Sequence, residues 1–214
     1  MMTLPDSSPG ADAAVLLDAV ADALVASGWG VFPMPLPTET VLDLLQQARS
    51  TADYHEAGIG RQGELARNVF VRRDEVAWID GEAACERAWV QWLETLRVHL
   101  NRTLMLGADQ FETHYAHYPP GAFYRRHLDA FRGETNRRVT VVAYLNAGWM
   151  TTDGGELVLY SLEGGDEVVR IPPRFGSVAI FLSEQFPHEV LPTRAHRYSL
   201  TAWLRVRDAL PLNA

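Results

Sequence analysis

Apolar side chains recur at helical spacing in three stretches of the first half of the chain. These stretches run from about residue 12 to Ser27, from Thr38 to Arg49 and from Glu82 to about Leu104. An apolar position every three or four residues places one face of a helix against a core. We therefore predict three packed helices, with a short strand at residues 30–33 after the first helix.

The second half of the chain has a different pattern. From Phe111 onward, short runs of β-branched and aromatic residues alternate with turns rich in glycine, proline and aspartate. Many short strands at close spacing are typical of a sandwich or a barrel. We expect an α+β, mainly β architecture, with the N-terminal helices packed on a β core at about residues 105–208. The predicted strands cover residues 111–118, 137–146, 156–162, 166–171, 176–182, 188–192 and 197–206.

Length and composition favour one folded unit. A chain of 214 residues is long enough for one large domain and short for two. Residues 1–11 are rich in proline, serine, aspartate and glycine, which predicts a disordered tail. We therefore expect a single domain over residues 12–214, with helical support at about 12–104. The polar, glycine-containing segment from 51 to about 70 is long enough to be a functional or mobile loop.

The charge distribution restricts the class of partner. A formal net charge of −8 argues against a nucleic-acid binder. A local basic patch contrasts with this average, and it has two interpretations. It is either a solvated surface or a rim that attracts an anionic cosubstrate or an acidic protein segment. Its members are Arg125, Arg126, Arg132, Arg137 and Arg138.

The single cysteine and the N-terminal sequence indicate in which cellular compartment the protein acts. Cys85 has no second cysteine with which to form a disulfide, and its helical surroundings predict a partly buried, inert thiol. We see no basic segment leading into an apolar run at the N-terminus, and Asp18 and Asp22 interrupt the longest apolar stretch. We expect a cytoplasmic protein without a membrane partner.

The candidate metal ligands are His127, Asp129 and His188. His127 and Asp129 are two residues apart, so on a strand they would project to the same face and reach one ion. His188 lies at the entrance of a later predicted strand. Two histidines and one carboxylate form the facial triad of non-haem Fe(II) oxygenases, which leaves coordination positions open. The pair His127–Asp129 alone is a weak signal, and the later residues decide the interpretation.

Arg197 supplies the next part of the pattern. We predict that it lies near the middle of the last long strand, where an unpaired guanidinium is costly to bury. A carboxylate removes that cost, and the distal carboxylate of 2-oxoglutarate fits. Tyr144 and Ser199 could add hydroxyl hydrogen bonds to it. The alternative for Arg197 is a surface ion pair with aspartate or glutamate.

The other histidines have no predicted role at the metal. His114 and His117 differ by an odd number of positions on one strand and should point to opposite faces. His196 is adjacent to Arg197 and should face away from the pocket. His55 lies in the glycine-containing loop.

Several segments in one order resemble the prolyl 4-hydroxylases of the HIF-hydroxylase type, with the greatest likeness to their bacterial members. The likeness runs from about Gly28 to Arg207. The upstream segment Val71-Arg-Arg-Asp-Glu-Val-Ala-Trp-Ile-Asp-Gly is similar to the strand that follows the family's substrate loop. The segments that carry the likeness are His117-Tyr-Pro-Pro-Gly-Ala-Phe-Tyr-Arg-Arg-His-Leu-Asp, Val142-Ala-Tyr-Leu-Asn-Ala-Gly-Trp, Asp153-Gly-Gly-Glu-Leu and Pro187-His-Glu-Val-Leu-Pro.

This resemblance implies a double-stranded β-helix, the jelly-roll fold shared with cupins, and a definite set of ligands. Iron would be held by the two histidines and the aspartate, and 2-oxoglutarate by Arg197 with Tyr144 and Tyr118. An arginine at this place favours the HIF-like branch over the collagen-type enzymes, which use lysine. The cofactors implied are Fe(II), 2-oxoglutarate and O2, with ascorbate as a stimulant.

The resemblance also implies a protein substrate with an exposed proline, and bacterial members suggest translation elongation factor Tu. A loop at about residues 54–72 would close over it, with Arg72 and Asp74 near the hinge. Arg137 matches a substrate-contacting arginine, and Trp203 matches an aromatic residue at the active-site wall. The chain departs from the family in its loop sequence and in having Arg73 where the family often has glycine, which puts the identity of the substrate in doubt.

Two other functions remain open at this stage. The first is the same oxygenase chemistry on a small molecule such as a free amino acid. The second is a cupin-like binding or sensor module in which a metal is structural or absent. Arg197 and Tyr144, placed for a dicarboxylic acid, favour the oxygenase.

Overall fold

The computed structural model describes residues 9–56, 70–130 and 136–207. The three predicted helices are all found within these residues. The first begins at Pro9, so the backbone of residues 9–11 belongs to this helix and not to the predicted tail. Proline is tolerated at the first position of a helix because its missing N–H would have no partner there. The helices are α1 (Pro9–Ala26), α2 (Thr38–Ser50) and α3 (Ala84–Leu104).

The strands form two antiparallel sheets. The larger sheet has the order β1-β9-β6-β11-β4-β3-β2, and the smaller has the order β5-β10-β7-β8. Each predicted strand corresponds to an observed one, although the strand predicted at 188–192 is only three residues long. The strands are β1 (Trp29–Pro33), β2 (His55–Glu56), β3 (Glu75–Trp78), β4 (Gln110–Tyr118), β5 (Tyr124–His127), β6 (Arg137–Tyr144), β7 (Leu157–Tyr160), β8 (Glu167–Ile171), β9 (Ser177–Leu182), β10 (His188–Val190) and β11 (Arg197–Arg205).

Two apolar clusters hold these layers together. One lies between the helices and the outer face of the larger sheet, where Trp89, Leu93 and Leu200 are fully buried. The other lies between the two sheets and includes Tyr144 and Leu159. The smaller sheet therefore packs on the inner face of the larger one. This is the double-stranded β-helix that the resemblance implied, with helices on one side.

Strand β11 is central to the larger sheet. It pairs with β4 on one side and with β6 on the other, along most of its length. Alternate side chains of a strand point to opposite faces, so Leu200 faces the helices whereas Ser199 faces the smaller sheet. Arg197 opens this strand, and the prediction that it lies near the middle was wrong. Arg197 Nε donates to the carbonyl oxygen of Gly155, which places this side chain beside the loop before β7.

No helix in the described part of the chain combines the length and the apolar character needed to cross a bilayer. Cys85 is half-buried in α3, as expected. Burial raises the pKa of its thiol, which agrees with an unreactive cysteine.

Candidate metal and cosubstrate site

Two of the predicted ligands are direct partners across a strand pair. His127 ends β5, His188 begins β10, and the two residues stand opposite each other in the antiparallel register. The Asp129 carboxylate lies between them, with Oδ1 3.5 Å from His127 Nε2 and Oδ2 3.5 Å from His188 Nε2. One ligand atom from each residue lies within 4.8 Å of the other two, so the three side chains could hold one metal ion.

The geometric reason for this convergence differs from the prediction. Strand β5 ends at His127, so Asp129 lies in the following turn and not on the same strand face. Hydrogen bonds direct its carboxylate instead. Trp203 Nε1 donates to Asp129 Oδ2 at 2.8 Å, and Thr140 Oγ1 donates to the same oxygen at 2.9 Å. Trp203 and Thr140 are register partners on β11 and β6, which explains why both point to one atom.

The second nitrogen of each imidazole is tied to the backbone. His127 Nδ1 lies 2.9 Å from the carbonyl oxygen of Arg125, and His188 Nδ1 lies 3.0 Å from that of Phe186. A hydrogen bond from Nδ1–H to a carbonyl leaves the Nε2 lone pair free for a metal. The Tyr124 ring stacks on His127 with centroids 3.6 Å apart, which fixes the ring plane.

Burial and charge favour the protonation states that ligands need. Burial and the neighbouring His127 lower the pKa of His188 to about 4, so its imidazole is neutral near pH 7. Burial acts to raise the pKa of Asp129, but the two imidazoles and Arg137 outweigh it and lower that pKa well below its usual range. A neutral imidazole and an ionised carboxylate are the forms that bind a divalent cation.

Arg197 is a buried cation that retains a hydrogen-bond donor without an acceptor among the described residues. Only 1% of this residue is exposed, so it is not the surface ion pair that was its alternative. Its Nε donates to the carbonyl oxygen of Gly155 at 2.9 Å, and its Nη1 donates to Ser199 Oγ at 3.2 Å. Its Nη2 is buried without a partner among the described residues, and the same holds for Tyr144 Oη. These two residues are neighbours, because the guanidinium carbon of Arg197 is 5.3 Å from the Tyr144 ring centre.

A dicarboxylic acid would satisfy this arrangement. Buried donors without acceptors are uncommon in proteins, and a carboxylate accepts from an arginine fork and a phenol at once. Burial raises the pKa of Tyr144 to about 12 despite the opposing charge of Arg197, so the phenol keeps its proton to donate. Tyr118 also contacts this arginine, with its ring centre 4.8 Å from the Arg197 guanidinium carbon. The donor set and these two unpartnered groups fit Fe(II) and 2-oxoglutarate.

Glycine is required beside Arg197. Gly155 has a φ of +68°, and a Cβ at this position would lie 3.1 Å from Arg197 Cδ and 3.2 Å from Thr193 Cβ. Any side chain here would be strained in its backbone and would press on the arginine. The motif Asp153-Gly-Gly-Glu thus lets the backbone approach the guanidinium and accept from its Nε.

The residues proposed to contact substrate all have partners within the protein. Arg72 forms a bidentate pair with Asp74 at 2.8 and 2.6 Å, and both side chains are largely buried. Arg137 pairs with Glu112 at 2.6 Å and lies over the Trp203 ring, 3.6 Å from its centre. Trp203 also donates a hydrogen bond to Asp129. Most of the proposed loop at 54–72 lies outside the described residues, which omit 57–69.

The arginines of the basic patch that lie within the described residues all contact other groups of this chain. Arg138 pairs with Glu184 at 3.1 Å, Arg137 pairs with Glu112, and the Arg126 guanidinium lies over the Tyr160 ring at 3.3 Å. Arg125 Nε donates to the carbonyl oxygen of Phe70, whereas Arg132 lies outside the described residues. Four of the five arginines are therefore held by groups of this chain.

The remaining histidines are separate from the triad. His117 Nδ1 lies 2.9 Å from Glu75 Oε2, and its Nε2 lies 2.9 Å from His196 Nδ1. His114 is on the opposite face of β4, as its position predicted. Sequence reasoning missed the support of Asp129 by Thr140, and it missed Ser183, whose hydroxyl lies 2.8 Å from Thr140 Oγ1. A threonine in a strand gives no signal of such a role.

Comparisons with known proteins agree with this geometry. The family described as the 2OG-Fe(II) oxygenase superfamily matches residues 113–205. A Pseudomonas putida prolyl-4-hydroxylase has a similar structure, with a TM-score of 0.80 and 40% identity over 89% of this chain and 99% of that one. The chain belongs to the prolyl 4-hydroxylase family of 2OG-Fe(II) oxygenases, whose cofactors are Fe(II), 2-oxoglutarate and O2.

Two further relatives belong to the HIF-hydroxylase type. A Trichoplax adhaerens prolyl hydroxylase, solved with a peptide fragment of the hypoxia inducible factor oxygen degradation domain, has a TM-score of 0.82 and 28% identity over 91% of this chain and 90% of that one. Human Egl nine homolog 1 is 34% identical over 161 residues, which cover 70% of this chain. That match spans 38% of the human protein, so the chain corresponds to only part of this relative.

Proposed function

We propose that this protein is an Fe(II)- and 2-oxoglutarate-dependent dioxygenase that hydroxylates a prolyl residue in a protein substrate and releases succinate and CO2. The observation that carries the proposal is Arg197, a buried guanidinium with an unpartnered Nη2 beside the ring of Tyr144, whose hydroxyl is also buried without a partner among the described residues. The His127–Asp129–His188 cluster and the family membership support it. We further propose that residues 12–214 form one oxygenase domain that acts in the cytoplasm.

Each group of side chains has a role in this proposal. His127, Asp129 and His188 hold the iron, which supplies the activation of oxygen when it is bound. Arg197, Tyr144 and Ser199 fix the distal carboxylate of 2-oxoglutarate, and the Tyr118 ring closes the pocket against water. Because these donors are already buried and oriented, binding requires little rearrangement of the protein. Hydrogen bonds from Thr140 and Trp203 keep the Asp129 carboxylate in one orientation.

The protein substrate would contact groups that lie near the metal ligands. Arg72 and Asp74 form an ion pair shortly after the segment 57–69 in the sequence, and Arg137 lies over the Trp203 ring, whose Nε1 donates to Asp129. We propose that these four residues position an extended segment around a proline. Translation elongation factor Tu is the first candidate substrate, and the test is hydroxylation of the purified factor, read by mass spectrometry as one added oxygen atom on a proline. A free-proline control distinguishes a small-molecule hydroxylase.

The cosubstrate site is tested by anaerobic titration of the Fe(II)-loaded protein with 2-oxoglutarate, followed through the visible metal-to-ligand charge-transfer band. We expect a saturable band in the wild type. In Arg197→Ala, half-saturation should need about a hundredfold more 2-oxoglutarate, since truncating one partner of a buried charge pair costs several kcal/mol. Arg170→Ala is the matched control, because this arginine lies in an exposed pair on β8. A folded, metal-loaded wild type without the band would instead support the cupin-like binding module.

A further inference from the structure

His114 is a buried histidine that takes no part in the metal or 2-oxoglutarate sites described above. It lies on the inner face of β4, opposite Trp78 of β3 and Thr201 of β11. Its ring is 5.2 Å from the Trp78 ring in an edge-on arrangement and 5.2 Å from the Trp203 ring. The three rings form a continuous row, which we call the aromatic wall (Trp78, His114 and Trp203).

The aromatic wall joins the metal centre to the protein surface. At its inner end, Trp203 Nε1 donates to Asp129 Oδ2 at 2.8 Å. At its outer end, Trp78 is 54% exposed, although tryptophan is a residue that folding normally buries. A substrate that reaches the metal from this side would therefore pass along His114.

The imidazole of His114 has unused hydrogen-bonding capacity. The residue is 5% exposed, and its Nδ1 is fully buried without a hydrogen-bond partner among the described residues. Burial, with the nearby cations Arg72 and Arg137, lowers the pKa of His114 to about 3. The ring is therefore neutral near pH 7 and offers one N–H donor and one lone pair. Buried polar groups in native proteins normally have partners, which points to a ligand that supplies one.

The chemistry of a prolyl residue matches this wall. The pyrrolidine ring is apolar and packs against aromatic faces, and the amide nitrogen of proline carries no hydrogen. At the target residue the polypeptide thus offers a carbonyl acceptor and no N–H donor. A neutral imidazole with a free N–H, set between two indole rings, is complementary to such a segment.

We propose that His114 determines substrate specificity by donating a hydrogen bond from its imidazole to a backbone carbonyl that flanks the target proline, while Trp78 and Trp203 contact the prolyl ring. This inference rests on the proposed prolyl hydroxylase function and adds a residue to it. It assigns His114 a contact with the polypeptide and none with 2-oxoglutarate.

The test uses the full chain and a pooled library of nonapeptides with a fixed central proline. Peptides hydroxylated by the wild type are identified by the mass of one added oxygen atom, and KM and kcat are then measured for the best of them. His114→Phe keeps a ring in the wall but removes both nitrogens. We expect its KM for the peptide to rise about tenfold, the effect of one lost hydrogen bond to a buried group, with little change in kcat.

Conservative variants identify the nitrogen that acts. The amide of asparagine lies near the position of Nδ1 and that of glutamine near Nε2, so His114→Asn or His114→Gln should recover part of the lost affinity. A thioamide is a poorer acceptor than an amide. A thioamide at the flanking carbonyl should raise the KM of the wild type for the peptide. It should have little further effect on the KM of His114→Phe, as expected for two partners of one hydrogen bond.

Two other outcomes would overturn the inference. One is a His114→Phe variant that is folded and keeps the wild-type KM for the peptide. The other is a variant whose 2-oxoglutarate titration shifts as much as its peptide KM, because His114 would then act on the cosubstrate pocket. A failure of the proposed function looks different: the wild type itself would hydroxylate no peptide of the library, or would show no charge-transfer band.

Discussion

The two faces of strand β11 carry different kinds of residue. Leu200, Ala202 and Leu204 face the helices, and all three are fully buried in the apolar cluster there. On the other face, Arg197 and Ser199 point toward the cosubstrate pocket, and Trp203 points toward Asp129. One strand therefore belongs to the hydrophobic core on one side and to the candidate active site on the other.

The two faces differ in how completely their side chains find packing or hydrogen-bond partners. Apolar side chains on the helical face need only close packing, and the helices supply it. On the inner face, polar groups are buried as well, but some of them have no partner. Buried side-chain atoms without a hydrogen-bond partner among the described residues belong to His114, Tyr144 and Arg197, all on this inner face of the larger sheet. A helical-face substitution should therefore change stability, whereas an inner-face substitution should change ligand binding.

The largest expected effect is the loss of activity that follows substitution of a metal ligand. Asp129→Ala removes the only carboxylate of the triad, and it should lower succinate formation by more than about a hundredfold, since even outer supports of metal ligands contribute ten- to a hundredfold. The thermal midpoint of the metal-free protein should change little. Succinate is measured under saturating 2-oxoglutarate and iron. Glu167→Ala, in an exposed ion pair, is the control, and wild-type succinate formation by Asp129→Ala would refute the metal site.

A substitution on the opposite face should separate stability from binding. Leu200→Ala leaves a cavity between β11 and the helices, and we expect the free energy of unfolding to fall by about 3 kcal/mol. Urea unfolding measures this change. At a temperature where the variant stays folded, the charge-transfer titration with 2-oxoglutarate should match that of the wild type. A large loss of 2-oxoglutarate affinity in this variant would mean that the two faces are not independent.

A smaller effect, on metal affinity, is expected from Thr140, which contacts the ligand Asp129. Thr140→Val keeps the shape of a fully buried side chain but removes the hydroxyl that donates to Asp129 Oδ2. The affinity for divalent metal should fall about tenfold, because an outer hydrogen bond orients the ligand. Competition with a fluorescent chelator measures it. Thr140→Ser should restore most of the affinity, and Ser183→Ala should have a weaker effect than Thr140→Val.

The smallest effect concerns the pH dependence of stability. The pKa of folded His114 is about 3, below its ordinary value near 6.5, so between these values the unfolded chain binds a proton that the folded chain does not. This histidine therefore makes the free energy of unfolding fall as the pH decreases from 6.5. In His114→Phe the slope should be shallower by up to about 1.4 kcal/mol per pH unit. Urea unfolding of the metal-free protein at several pH values tests this, and identical slopes would contradict it.

The helices and strands could be predicted because their signals are local. Helical spacing in α2 and the alternation in β11 each depend on neighbouring residues only. The ligands could also be proposed, because His127, Asp129, His188 and Arg197 stand in the order that the family shares. Their assignment as ligands stays a prediction until a metal is bound.

Features that depend on register across the sheet could not be predicted. Thr140 is a β-branched residue in a strand and looks like any other, and its role appears only when β6 pairs with β11 to place it beside Trp203. The prediction placed Asp129 on the same strand face as His127, but the strand ends at His127. The two side chains do converge, although for a different geometric reason. The intramolecular partner of Arg137 is Glu112, which is distant in the chain.

The direct pairing of His127 with His188 has a consequence for how the smaller sheet opens. Strands β5 and β10 come from distant parts of the chain and are held together by a short, irregular ladder. An ion bound by both histidines would be a cross-link at its end, and it would restrict the chain entropy gained when the strands separate. Loss of iron should therefore increase amide hydrogen exchange in β5 and β10 before it does so in β11. The metal would stabilise the pairing of β5 with β10 in addition to its chemical role.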